Sequence, residues 1–186
     1  MKNLAIIFIL SVSISYSQNY SSNRQIPADS KVITNHTTSI LGKKVSYSAQ
    51  AGTQPVWDSK GNVIATLYYT YYKRTDVDDN SNRPIAFSFN GGPGSASIWM
   101  HLGYTGPYSL IIDDEGYPIQ PYGYKTNPFS ILDVADIVFV NPINVGFSRI
   151  LKDMTKEEAT KKFFGMKQDI DCLLYTSPSP RDPSIS

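Results

Sequence analysis

The segment best suited to chemistry is Asn90-Gly91-Gly92-Pro93-Gly94-Ser95-Ala96-Ser97. Its glycines remove the side chains that keep a ligand away from the backbone, and they admit unusual dihedrals. Successive amide hydrogens can then converge on one negatively charged oxygen. That is what the oxyanion of an acyl-transfer intermediate needs, and one such preorganised donor contributes about 3–4 kcal/mol to the transition state. A phosphate cradle fits less well, because neither the Walker pattern nor the spaced dinucleotide glycines occur. An attacking group is harder to find. Ser95 and Ser97 lie in the anion-binding loop itself, and a group cannot readily attack a carbon and stabilise its oxygen from the same place. Gly146-Phe147-Ser148-Arg149-Ile150 approaches a nucleophile elbow but lacks its closing glycine, so Ser148 is read as structural. His36 and His101 do not follow any elbow, and His101 is expected to pack or hydrogen-bond locally.

The elements that must position this loop can be read from periodicity. Pro84 to Phe89 is a short, nearly continuous apolar run, suited to a strand covered on both faces, and Asp136 to Val140 is a second. The glycine loop directly follows the first. Upstream, Val45, Tyr47 and Ala49 alternate, and after a turn at Asp58 to Asn62 comes Val63 to Tyr72, so antiparallel strands are expected. The Tyr-rich run is read as a half-buried strand rather than a sugar-binding platform. Turn signals stand at Asp113 to Gly116 and Thr126 to Pro128. Thr155 and Glu158 form a capping box opening a helix, with Ala159, Phe163, Met166 and Ile170 on its buried face. Antiparallel strands, buried strands and a covering helix in that order describe part of an α/β sheet protein.

The two ends differ from this body. Residues 1–17 carry Lys2, an apolar run from Leu4 to Leu10 and a small polar stretch, the pattern of a secretory signal peptide. The run is too short to span ~30 Å of hydrocarbon, so no stable membrane span is expected, and export to the periplasm or exterior is. Residues 18–44, rich in Ser, Asn and Thr, are read as a leader lying on the surface or disordered. Residues 172–186 include Leu173 to Asp182, which looks like translated adapter DNA, and are read as a non-native tail. A net charge of +1 with no clustered basic stripe argues against nucleic acid. Asp76, Asp78 and Asp79 lack the spacing of a calcium loop and are read as a solvated turn. No cofactor or metal is called for.

Phe87 to Ser97 resembles the signature loop of the serine carboxypeptidases, secreted enzymes of the α/β-hydrolase fold. Gly106-Pro107 and Asn127-Pro128-Phe129-Ser130 are similar to further family elements. So is Ile137 to Ser148, ending Val145-Gly146-Phe147-Ser148, and the order and spacing agree across 45–171. The resemblance implies an incomplete α/β-hydrolase fold: antiparallel strands leading into a mostly parallel sheet with covering helices. It implies hydrolysis of a C-terminal peptide bond through an acyl-enzyme. Gly92 would supply the oxyanion-hole amide, while Asn90 and Gly91 would bind the free C-terminal carboxylate of a peptide. Eukaryotic-type members carry Cys and Glu where this chain has Ser95 and Tyr104, which suggests a bacterial-type member in which Tyr104 meets the carboxylate through its hydroxyl. The Gly-x-Ser-x-Gly elbow, the acid and the later His of the triad are absent from the sequence. A fragment without peptidase activity is therefore expected. An esterase or acyltransferase on the same scaffold, or a noncatalytic exported binding protein, are the other readings.

Overall fold

A computed structural model describes residues 27–168 except 80, 91–93 and 166. The expected signal peptide, the tail, Gly91, Gly92, Met166 and Ile170 therefore lie outside the described residues.

β1 (Lys31–Ile40), β2 (Lys43–Trp57) and β3 (Val63–Arg74) form an antiparallel meander. The alternation read at Val45 to Ala49 lies in β2, and the Tyr-rich run is β3. β1 falls within the stretch read as a surface or disordered leader. It is an edge strand, exposed from Lys31 to Thr37, so it shows no apolar alternation, but β-branched residues at six of its positions suit extended backbone. β4 (Ile85–Ser88) and β7 (Asp136–Val140) pair in parallel, and β7 also pairs with β3. The order is β1-β2-β3-β7-β4, with the two-residue β8 (Arg149–Ile150) pairing β3. The sheet is thus mixed, an antiparallel portion leading into a parallel pair, in keeping with part of an α/β-hydrolase fold.

β7 is buried along its whole length. Val138 and Val140 join Leu67, Tyr71, Val56, Ile143 and Phe163 in one cluster. Phe139, on the opposite face by the two-residue period of a strand, meets His101 and Tyr72. β4 is only half-buried, because among the described residues it pairs on one side alone. That departs from the expectation of full cover. α1 (Lys156–Phe163) is one element on the Phe163 side. Its capping box forms as read: Thr155 Oγ1 accepts from the Glu158 amide and Glu158 Oε2 accepts from the Thr155 amide, 3.2 and 2.9 Å.

Between β4 and β7 lie a π-helical turn (Trp99–Thr105), a hairpin of β5 (Tyr108–Leu110) and β6 (Tyr124–Thr126), and a 3-10 turn (Ile131–Asp133). The turn signal at Asp113 to Gly116 lies within this hairpin, where the Gly116 amide donates to the Asp113 carbonyl.

Candidate active site

The loop after β4 is fixed at both of its described ends. Asn90 is half-buried, and its Oδ1 accepts from the Met100 amide, 3.1 Å. At the far end Ser97, 2% exposed, donates its amide to Asn141 Oδ1, 2.9 Å, and its hydroxyl to the Val140 carbonyl. The Ser97 carbonyl then accepts from the His101 amide, 2.9 Å, so the π-helical turn grows directly from the loop. Ser97 spends its hydroxyl on β7 and is structural, as read. Ser95 is half-buried within the loop.

Ser148 is fully buried. Its Oγ accepts from the Tyr68 amide and donates to the Asn141 carbonyl, both 2.8 Å. A hydroxyl so engaged has no proton to give a base and no face to offer a substrate, so it ties the β7 loop to β3 and is no nucleophile.

The π-helical turn carries Tyr104 and His101. Tyr104 is 67% exposed, and its carbonyl accepts from Asn127 Nδ2, 2.7 Å. The same Nδ2 donates to the Gly106 carbonyl at 2.9 Å, and Ser130 Oγ donates to the Thr105 carbonyl, also at 2.9 Å. Thus the Gly-Pro and Asn-Pro-Phe-Ser elements, twenty residues apart, clasp each other and hold the end of the turn that presents Tyr104. Asn127 was legible as a turn residue and as part of a family-like element; in the fold it is 6% exposed and ties its own loop to the Tyr104–Pro107 segment. Gly106 is required here, since a Cβ would overlap the His101 carbonyl oxygen that its amide bonds. Asn90 and Tyr104 are brought to the same turn, while direct contact between them is not seen.

His101 lies under this turn, stacked on Phe139 with centroids 4.4 Å apart, and its Nε2 shares a 2.6 Å hydrogen bond with the Tyr72 hydroxyl. Burial pushes the imidazole down to about 4 from an ordinary 6.5, and pushes the Tyr72 phenol up to about 12. His101 is therefore a neutral packing group, as read, and no triad base. Between about pH 4 and 6.5 His101 binds fewer protons in the folded state than in the unfolded one. The stabilisation is complete above about pH 6.5 and is lost as pH falls toward 4, on the order of 3 kcal/mol in all. Urea unfolding at pH 7 and pH 4.5 should show this loss, and His101→Phe should flatten it.

Asn141 was not singled out from sequence, where it stood only within the stretch from Ile137 to Ser148. Its Oδ1 receives the Ser97 amide and its own amide bonds the Tyr68 carbonyl, 3.0 Å. Gly146, at φ 57°, makes room for it, because a Cβ there would overlap Asn141 Nδ2.

Asp76 accepts from Arg74 Nε and the Ser46 amide, tying the end of β3 to β2, and Asp79 accepts from Ser81 and Asn82, shaping a turn. No group of three or more metal-ligating side chains occurs among the described residues, and none of their helices is long and apolar enough to cross a membrane.

The arrangement is a glycine-rich loop following a sheet strand, with the Asn90 amide side chain at its start and with Ser97, Ser148 and His101 engaged in structural bonds. Two plant proteins are similar to this chain, serine carboxypeptidase-like 30 and serine carboxypeptidase-like 31 of Arabidopsis thaliana. They are 28% identical over 109 and 110 residues, each match taking in 56% of this chain. The chain spans only 19% of the length of these relatives. The model of the serine carboxypeptidase family matches residues 41–166, about two thirds of the sequence and every motif segment from Phe87 to Ser148. By that match, and by a sheet that sets the glycine loop at the end of β4, the chain belongs to the serine carboxypeptidase family.

Proposed function

We propose that this chain is the oxyanion- and carboxylate-binding portion of an exported, bacterial-type serine carboxypeptidase that cleaves C-terminal residues through an acyl-enzyme. Gly92 provides an amide to the oxyanion, and Asn90 and Gly91 hold the substrate's free carboxylate, with Tyr104 donating its hydroxyl from the adjoining turn. The observation that carries this reading is the bond from the Met100 amide to Asn90 Oδ1. An amide group that accepts through its oxygen has its nitrogen, with two N–H donors, as its remaining pole. A donor pole beside a glycine-rich loop suits a carboxylate, and bonds to a charged group of this kind contribute about 1.5–3 kcal/mol. Residues 1–17 direct export.

The chemistry also requires a nucleophile, an acid and a histidine. Ser97, Ser148 and His101 are occupied by structural bonds, so the 186-residue chain binds without turnover. The test titrates an N-acylated amino acid, and separately its C-terminal amide, into the isotopically labelled chain. The carboxylate form is expected to shift the Asn90 side-chain resonances at millimolar concentration, and the amide form is not. Asn90→Ala should weaken binding roughly tenfold or more. Equal response to both ligands, or peptide hydrolysis by the chain itself, overturns the proposal.

A further inference from the structure

Asn141 lies on the loop after β7, outside the segment that contacts ligand in the reading above, yet its side chain begins a continuous set of bonds that ends on Asn90. We propose that Asn141 is the positioning residue for Asn90, acting through Ser97 and the π-helical turn; this rests on Asn90 being the carboxylate-binding group.

The path consists of three contacts. Asn141 Oδ1 accepts the Ser97 amide, 2.9 Å. The Ser97 carbonyl accepts the His101 amide, 2.9 Å, which fixes the start of the turn. The next amide back, that of Met100, donates to Asn90 Oδ1 at 3.1 Å and so orients the Asn90 side chain. The head of the path is rigid. Asn141 is held to β3 through its own amide on the Tyr68 carbonyl, and through its carbonyl, which accepts from Ser148 Oγ. Gly146 is the counterpart that admits the Asn141 amide. Simple packing would not demand an acceptor aimed at one backbone amide, nor a glycine at the spot where the other end of the group lies. A side chain that binds a small anion must be held in a productive geometry. That demands placement within a fraction of an ångström, which is the task of a supporting polar contact.

The test compares the 186-residue chain with Asn141→Ala and Asn141→Asp. In Asn141→Ala, hydrogen exchange at the Ser97 and Met100 amides should quicken at least tenfold while the β2–β3 ladder keeps its protection. Affinity for the N-acylated amino acid should fall about tenfold. Asn141→Asp, which keeps the acceptor, should restore protection above the carboxylate's titration range. In that variant the Ser97, Met100 and Asn90 resonances should move together as the new carboxylate ionises. This second variant decides the matter if the alanine variant does not fold. Unchanged Met100 protection in Asn141→Ala, loss shared equally by the β2–β3 ladder, or a titration felt by Ser97 alone overturns the inference. If the wild-type chain does not distinguish carboxylate from amide, the assignment of the binding site fails, while the exchange rates still report whether Asn141 orders the turn.

Discussion

Asp136→Ala should lower the unfolding free energy by about 3–5 kcal/mol, the loss expected when one partner of a buried ion pair is removed. The Asp136 side chain is 4% exposed and that of Arg83 12%. Asp136 Oδ1 accepts from Arg83 Nε at 3.1 Å and from the Arg74 amide at 3.0 Å, and Oδ2 accepts from the Tyr71 hydroxyl at 3.4 Å. Arg83 Nη2 also donates to the Leu132 carbonyl. One carboxylate therefore joins the approach to β4, the end of β3, the start of β7 and the 3-10 turn. Without it, a guanidinium and a strand-end amide stay in the interior without their acceptor. Denaturant unfolding measures the loss. The paired change Asp136→Leu with Arg83→Met should cost markedly less than Asp136→Ala, because it removes the stranded cation as well. A single-variant loss under 1 kcal/mol would show that water reaches the pair.

Phe163→Ala should cost about 3–5 kcal/mol, the range for deleting a fully buried aromatic ring. Phe163 is 1% exposed and lies in the cluster formed by β2, β3 and β7, so it is the residue by which α1 covers the sheet. The helix is short, Lys156–Phe163, and a helix of this length is marginal without tertiary contacts. Loss of the ring should thus also melt the helix, seen as reduced far-ultraviolet ellipticity before global unfolding. Lys162→Ala, on the exposed side, serves as the control and should change stability by under about 0.5 kcal/mol. If α1 stays intact and stability is unaltered, the sheet is not held by this face.

The elements with strong local signals were legible. Val45 to Ala49 alternates because one face of β2 is buried, and Thr155 with Glu158 announces the helix through a purely local exchange of bonds. β1 was not legible because its exposed positions carry no apolar pattern, and its pairing with β2 is a long-range fact. The π-helical turn was missed for a different reason. Its order comes from the Ser97, Asn90 and Asn127 contacts made by other loops, and Trp99 to Thr105 has no side-chain N-cap and no apolar period. The candidate site divides in the same way. Asn90 and the glycines carry a local signature, so they could be named from sequence. Asn141 acts on a residue 44 positions away, and only the neighbouring ends of β4 and β7 in the folded sheet bring the two together.

The main sheet has two rims, β1 and β4, each paired on one side only among the described residues. On β1 the rim is ten residues long and displays Val32 and Ile33, each more than half exposed. Backbone donors and acceptors in extended register are a template that another molecule can match. A solution of this chain is therefore a population in which growth by strand addition competes with solubility. Concentration, more than temperature, then governs how long the protein stays monodisperse.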